Sequence, residues 1–187
     1  FYAGAFIFSQ WTTQLDLSRE YDVGMASPMN VAFGGEFRRE SYEIKPGDEG
    51  SRYKEGSQSY PGFQFTDAGK HKRRSYAGYA NVALSPTEPL KLDLAARYEH
   101  FSDFGDTFIV KATGRYDFNE MLALRGTAST GFRAPTLAEG FYSATNVSPT
   151  AAFVQLPSNS AAAKLVGVNG LDPEKSRNLS IGFVAHP

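Results

Sequence analysis

The sequence predicts an all-β fold, an antiparallel up-and-down meander of about seven strands, and three observations lead there. Apolar and polar residues alternate with period two through stretch after stretch, the pattern of a sheet with two unlike faces. Gly 18, Tyr 10 and Phe 15 are high for 187 residues, while helix start and stop signals are scarce. The connections between alternating stretches run short, long, short, short, short, long. In a meander every second connection lies at the same end, so both long ones fall on one rim.

Taken in order, Thr12 to Tyr21 sets Gln14, Asp16, Ser18 and Glu20 against Thr13, Leu15 and Leu17 as a first strand. Asp22 to Asn30, with Gly24, Ser27 and Pro28, is a short connection. Val31, Phe33 and Phe37 then alternate with Glu36, Arg38 and Glu40 in a second strand reaching Ile44. Lys45 to Arg74 reads as a long polar loop, functional or disordered, far beyond the usual connection of roughly 4 to 6 residues.

A third strand, Ser75 to Leu84, carries Tyr76, Gly78, Ala80, Val82 and Leu84 on its apolar face, and Ser85-Pro86-Thr87-Glu88-Pro89 turns tightly after it. The fourth is the clearest: Leu90, Leu92, Leu94, Ala96 and Tyr98 oppose Lys91, Asp93, Ala95, Arg97 and Glu99. After the turn Ser102 to Gly105, Phe108, Val110, Ala112, Gly114 and Tyr116 face away from Thr107, Lys111, Thr113 and Arg115, with Ile109 breaking the pattern. Asp117 to Glu120 turns into the sixth strand, Leu122 to Arg133, which Pro135 stops. A second long loop runs to Glu174. The seventh strand sets Leu179, Ile181 and Phe183 against Asn178, Ser180 and Gly182.

Bulk properties exclude several function classes. A formal net charge of -1 argues against holding nucleic acid by bulk charge. The absence of cysteine rules out disulfides, thiolate catalysis and Cys-ligated metals. A mean hydropathy of -0.36 without a long apolar run excludes a membrane-spanning helix, though not a membrane barrel. His71, His100 and His186 are scattered, so no metal site and no cofactor are expected. There is no Gly-x-Ser-x-Gly elbow and no phosphate-cradling glycine loop, and an enzyme is not expected.

Aromatics fall near both rims: Tyr21, Tyr116 and Phe118 by the short turns, and Tyr42, Tyr98, Phe101, Phe104 and Phe132 by the long loops. Rings at both ends of apolar stripes suit the two interfacial girdles of a transmembrane barrel. They suit a soluble sandwich as well, where the apolar stripe packs on a second sheet. On pattern alone the two readings stand side by side.

One stretch bears further on this choice. Ala123-Leu124-Arg125-Gly126-Thr127-Ala128-Ser129-Thr130-Gly131-Phe132-Arg133-Ala134-Pro135-Thr136 resembles the strand of TonB-dependent outer-membrane receptors that ends in Gly-Phe-Arg-Ala-Pro before a long external loop. Leu171-Asp172-Pro173-Glu174-Lys175-Ser176 is similar to the same family's Leu-x-Pro-Glu-x-Ser. Leu94 to Glu99 and Ser102 to Gly105 extend the likeness. The resemblance implies that residues 1–187 are a partial barrel domain, an internal piece of a 22-stranded transmembrane β-barrel in the bacterial outer membrane. No signal peptide, TonB box or plug domain is visible in the sequence, and Val184-Ala185-His186-Pro187 does not resemble the aromatic-terminated last strand of such barrels.

The resemblance carries site expectations with it. Asp16, Glu36, Arg38, Asp93, Arg97, Lys111, Arg115 and Arg125, on the polar faces, would line the lumen and hold the plug by ion pairs; without it they read equally as solvent-facing cross-strand pairs. Arg133, Tyr98 and Phe104 would meet a small-molecule nutrient at the external rim, with Arg133 equally readable as a clamp on its own loop. Lys72, Arg73 and Arg74, in the run Lys70-His71-Lys72-Arg73-Arg74, would meet lipopolysaccharide phosphates above Tyr76, or else form a solvated loop end. The implied partners are outer-membrane lipid, the rest of the barrel and its plug, the inner-membrane TonB complex and the nutrient, a ferric siderophore by default with carbohydrate or vitamin as other classes. A passive porin-like barrel and a soluble carbohydrate-binding β-sandwich are the alternatives.

Overall fold

Tight turns at one end of each hairpin hold neighbouring strands in antiparallel register over most of their length. The computed structural model describes residues 1–53, 62–147 and 150–185. In chain order these form β1 (Ala5–Tyr21), β2 (Ser27–Lys45), α1 (Glu49–Arg52), β3 (Gly69–Thr87), β4 (Leu90–Phe101), β5 (Gly105–Asn119), β6 (Leu122–Arg133), α2 (Leu137–Phe141), β7 (Ala144–Val147), β8 (Ala152–Gln155), α3 (Ala161–Leu165) and β9 (Glu174–Ala185). Seven strands make one sheet in the order β1-β2-β3-β4-β5-β6-β9, and β7 and β8 pair separately. The expected seven-stranded meander is the observed one, with β9 as its seventh strand. His186 and Pro187, singled out in the sequence, lie outside the described residues.

Several strands run further than the alternation indicates. β1 begins at Ala5 and β3 at Gly69, so the basic run Lys70 to Arg74 is strand rather than loop end. The reason is local: Phe6 packs its ring against Tyr42, Phe63 and Tyr142. With apolar contacts on that face as well, the period-two signal vanishes there. In β2, Ser27 and Pro28 open the strand, the position where a missing N–H costs least.

The chain divides into two compact units. One comprises Phe1–Trp11, Arg39–Arg74 and Ala134–Pro173. Its core is Tyr42, Ile44, Phe63 and Leu137, flanked by Phe141, Tyr142 and Ala144. The described parts of the two long loops thus carry elements of their own. Thr136 caps α2 in a reciprocal box with Glu139. Buried Asp67 joins the segments: its carboxylate accepts from Ser143 Oγ at 2.9 Å, from Thr145 N and Oγ1 at 3.0 Å each, and from Gln64 N at 3.1 Å.

The other unit comprises Thr12–Arg38, Ser75–Arg133 and the strand from Glu174. Its turns are Asp22 to Ala26, Glu88-Pro89, Ser102 to Phe104 and Glu120-Met121. Neighbouring turns tie together, Ala26 N donating to Ser85 O at 3.0 Å and Asp117 N to Pro89 O at 2.8 Å. Asn119 closes the last turn by accepting from the amides of Met121 and Leu122.

Register then fixes the faces. Leu94↔Ala112, Tyr98↔Phe108 and Ala128↔Leu179 lie on one side, and Asp93↔Thr113, Arg97↔Ile109 and Thr127↔Ser180 on the other. Burial is the reverse of a soluble sheet. Tyr76 is 55%, Leu94 48% and Phe108 65% exposed, whereas Glu99 is 5% and Thr107 8% exposed. Ile109, out of place in the sequence pattern, belongs to the polar face opposite Arg97.

Candidate functional site: an ion-paired strand face

The polar face of the second unit is held by side chains that cross from one strand to the next but one. Tyr79 of β3 donates its hydroxyl to Asp16 Oδ1 of β1 at 2.6 Å, reaching across β2. It crosses at Gly34, where a Cβ would stand 2.6 Å from the tyrosine ring and would also meet Asp16 Oδ1 and the Leu15 carbonyl. Gln14 Nε2 donates to the other carboxylate oxygen of Asp16 at 2.7 Å.

The same construction repeats one strand on. Arg97 of β4 reaches Glu36 of β2 at 3.4 Å while also pairing with Glu99 at 3.2 Å. On the intervening strand the residue opposite Glu99 is Ala77, small enough for the guanidinium to pass over. Arg38 pairs with Glu36 at 2.6 Å, so Arg38, Glu36, Arg97 and Glu99 form a chain of alternating charge. Arg38 Nε is buried and has no hydrogen-bond partner among the described residues.

Towards the Glu88-Pro89 turn, Asp93 accepts from Asn81 Nδ2 at 3.0 Å and stands 4.0 Å from Lys111 Nζ. Thr113 and Thr127 bond at 3.0 Å. Asp117 pairs with Arg115 at 2.7 Å and with Lys91 at 3.5 Å. Arg125 lies over Gly182, its partner in register. The eight polar-face residues singled out in the sequence thus share one side of one sheet. Tyr79, Asn81 and Glu99 complete the network. Glu99 was legible from its parity, but a Tyr and an Asn in a weak strand carry no such signal.

The three residues expected to meet ligand do not converge. Tyr98 projects from the side opposite Arg97 and Glu99, donating to Asp106 Oδ1 at 2.8 Å, while His100 Nδ1 lies 2.6 Å from the same oxygen. Phe104 stacks on Phe101 with ring centroids 4.4 Å apart, and Phe132 meets Phe101 edge-on at 5.8 Å. Arg133 is bound to Glu174, Nη2 to Oε1 at 3.0 Å and Nε to Oε2 at 3.3 Å. These two residues are the last pair of the β6–β9 register, so the ion pair joins the stems of the segment 134–173.

The aromatic girdle expected at the long-loop end is smaller than the sequence indicates. Tyr42 is buried in the loop core and Phe101 is buried under Phe104, because apolar loop residues cover them. Tyr98 remains exposed, as do Tyr21, Tyr116 and Phe118.

In the first unit the strand pleat splits the basic run. Lys70, Lys72 and Arg74 are exposed on the side of Tyr76, whereas Arg73 is buried on the other and lies 3.7 Å from Glu40. Arg73 is therefore not presented with its neighbours. Lys70 pairs with Glu43 at 2.8 Å. Among the described residues no group of three His, Cys, Asp or Glu side chains is placed to hold a metal ion.

Known structures share this architecture. The siderophore receptor PirA from Pseudomonas aeruginosa superposes with a TM-score of 0.70 at 16% identity, over 98% of this chain and 30% of that one. PirA from Acinetobacter baumannii gives a TM-score of 0.68 at 16% identity, over 97% and 25%. A ferric enterobactin receptor from Pseudomonas aeruginosa (PfeA), solved with enterobactin, gives 0.68 at 14%, again over 97% and 25%. The chain thus spans 25 to 30% of the length of these receptors. No curated protein matches it. The family described as TonB dependent receptor-like, beta-barrel matches residues 2–187. The chain belongs to the TonB-dependent receptor β-barrel family, of which it forms one seven-stranded part.

Proposed function

We propose that this chain is part of an outer-membrane active-transport receptor, a partial barrel domain spanning 1–187. In this reading the receptor captures a scarce nutrient with its external segments and passes it inward using TonB-derived energy. The observation that carries the proposal is the inverted sheet: an exposed apolar face backed by a face of paired charges. Lipid tolerates the first, and a polar lumen filled by a plug suits the second. Asp16, Glu36, Arg38, Asp93, Arg97, Lys111, Arg115 and Arg125 then line the lumen, and Arg38 Nε is a donor left for the plug.

A ferric siderophore is the proposed nutrient, because the structural neighbours are siderophore receptors, one of them solved with enterobactin. The segments 46–68 and 134–173 are the proposed ligand-facing parts. Arg133 acts there as the clamp of its loop, and Tyr98, on the apolar face, belongs to the lipid interface instead. Lys72 and Arg74, exposed beside Tyr76, are the proposed lipopolysaccharide contacts, without Arg73.

The test is uptake by cells carrying the full receptor, offered ferric siderophores, vitamins and oligosaccharides in separate assays. Saturable uptake of a ferric siderophore is expected, lost without TonB and lost when residues 137–171 are deleted while the barrel still assembles. Uptake that persists without TonB would mark a passive barrel, and saturable binding of an oligosaccharide alone would overturn the siderophore assignment.

A further inference from the structure

The sheet opens between β5 and β6. Their register runs from Asn119↔Leu122 to Lys111↔Ser129 and then ends, although β5 stays paired with β4 as far as Phe101↔Gly105 and β6 with β9 as far as Arg133↔Glu174. At the first step beyond, Val110 N donates to the Thr130 hydroxyl at 3.0 Å instead of to a backbone carbonyl. A groove of about 570 Å³ lies at the mouth of this opening, lined by Leu94, Val110, Ala112, Ala128, Arg177 and Leu179 among others.

The groove is on the apolar side, since Leu94↔Ala112 and Ala128↔Leu179 are facing pairs of that side. Ala112 and Ala128 make its floor, and Leu94, Val110 and Leu179 make its walls. Arg177, opposite Thr130, stands at the end nearer the Arg133–Glu174 pair. Among the described residues Arg177 has no ion-pair partner, although it belongs to a face otherwise apolar at this level. By register it lies near the exposed pair Tyr98↔Phe108, the rings that mark the interfacial zone on this side.

A cation without an ion-pair partner among the described residues, with Lys175 the next residue on its face, stands at the headgroup end of an apolar groove and matches the two ends of one molecule. We propose that this groove seats a bilayer lipid, its acyl chain against Ala112 and Ala128 between Leu94, Val110 and Leu179, and its phosphate on Arg177. The acyl chain lies along the last paired rungs, and the phosphate sits at the first open one, Val110 and Thr130. Charge complementarity fixes the occupant: an acyl chain alone leaves the guanidinium unmatched, and a free anion leaves the groove empty. The proposal rests on the outer-membrane reading above.

The experiment is native mass spectrometry of the full receptor, extracted from membranes in detergent. It is titrated with dioleoylphosphatidylglycerol and, as a matched lipid without phosphate, dioleoylglycerol. The parent is expected to retain one phosphatidylglycerol more tightly than the rest. Arg177→Gln should weaken that molecule about tenfold, the loss of one charge-assisted contact. Ala128→Phe, which fills the groove, should remove it, while Lys45→Gln, at an exposed lysine on another strand, should not. Equal retention by the parent and by Arg177→Gln overturns the proposal, as does equal affinity for the two lipids. Arg177 is exposed, so its variant decides the matter even where Ala128→Phe does not assemble. A parent receptor absent from the membrane fraction would instead overturn the outer-membrane reading.

Discussion

Arg133 and Glu174 close the last rung of the β6–β9 ladder with a two-point ion pair, at the stems of a loop whose ends are 41 residues apart in sequence. Both side chains are more than half exposed, which screens the pair and limits its net contribution to about 0.2 to 1 kcal/mol. Its effect is therefore local. Arg133→Ala and Glu174→Ala should each speed proteolytic cutting within 134–173 and leave barrel assembly unchanged. A double-mutant cycle should show coupling of about 0.2 to 1 kcal/mol, and charge swapping of the two positions should restore protection.

Gly34 lies beneath the tie from Tyr79 to Asp16, with no room for a Cβ. Gly34→Ala should displace the tyrosine and destabilise the sheet by about 1 to 3 kcal/mol, the usual cost of overpacking. Gly24, with nothing near its Cβ position, is the control for a change of glycine as such, although its positive φ adds some strain. Denaturant unfolding of the folded receptor in detergent measures both. An unchanged midpoint for Gly34→Ala would show that the crossing is not tight.

Leu94 and Asp93 are neighbours in sequence on opposite faces. Leu94→Asp puts a charge on the apolar face, at a cost below the roughly 2 to 4 kcal/mol of a Lys or Arg near mid-bilayer. Asp93→Asn keeps an acceptor for Asn81 and loses only a long contact to Lys111. Heat-modifiable gel mobility should show folded barrel for Asp93→Asn and a depleted folded form for Leu94→Asp.

His71 stacks on Phe141 of α2, ring centroids 3.8 Å apart, and burial holds its imidazole below the ordinary value of 6.5. The folded form thus binds the proton more weakly than the unfolded one. Its contribution is fully present above pH 6.5 and declines as pH falls through the lowered folded value. Hydrogen exchange in 137–141 should accelerate between pH 7.5 and 5.5, after correction for intrinsic rates, and His71→Phe should abolish that dependence.

The meander was legible because one face of most strands is apolar and the other polar, as in Leu90 to Glu99. Strand ends were not, since Phe6 and Tyr42 meet apolar loop residues on the face that is polar elsewhere. The capping box at Thr136 and Glu139 was readable from its Thr-x-x-Glu spacing, next to the Pro135 that read only as a stop. Asp67 was not legible as a tie between segments: apart from the Gln64 amide, its partners lie 76 and 78 residues away in sequence. The crossings at Gly34 and Ala77 depend on three-strand register, which pairwise alternation does not encode.

In the proposed barrel Phe108 and Ile181 face lipid while Thr113 and Ser180 face a polar lumen. The 187 residues contain no cysteine to compete with an introduced label. Nitroxides at these four positions of the full receptor, in membranes, report the answer through collisions with oxygen and with a water-soluble nickel chelate. Oxygen-dominated relaxation is expected at 108 and 181 and the reverse at 113 and 180. Equal accessibility to the nickel chelate at all four would rule out a lipid face opposite a lumen.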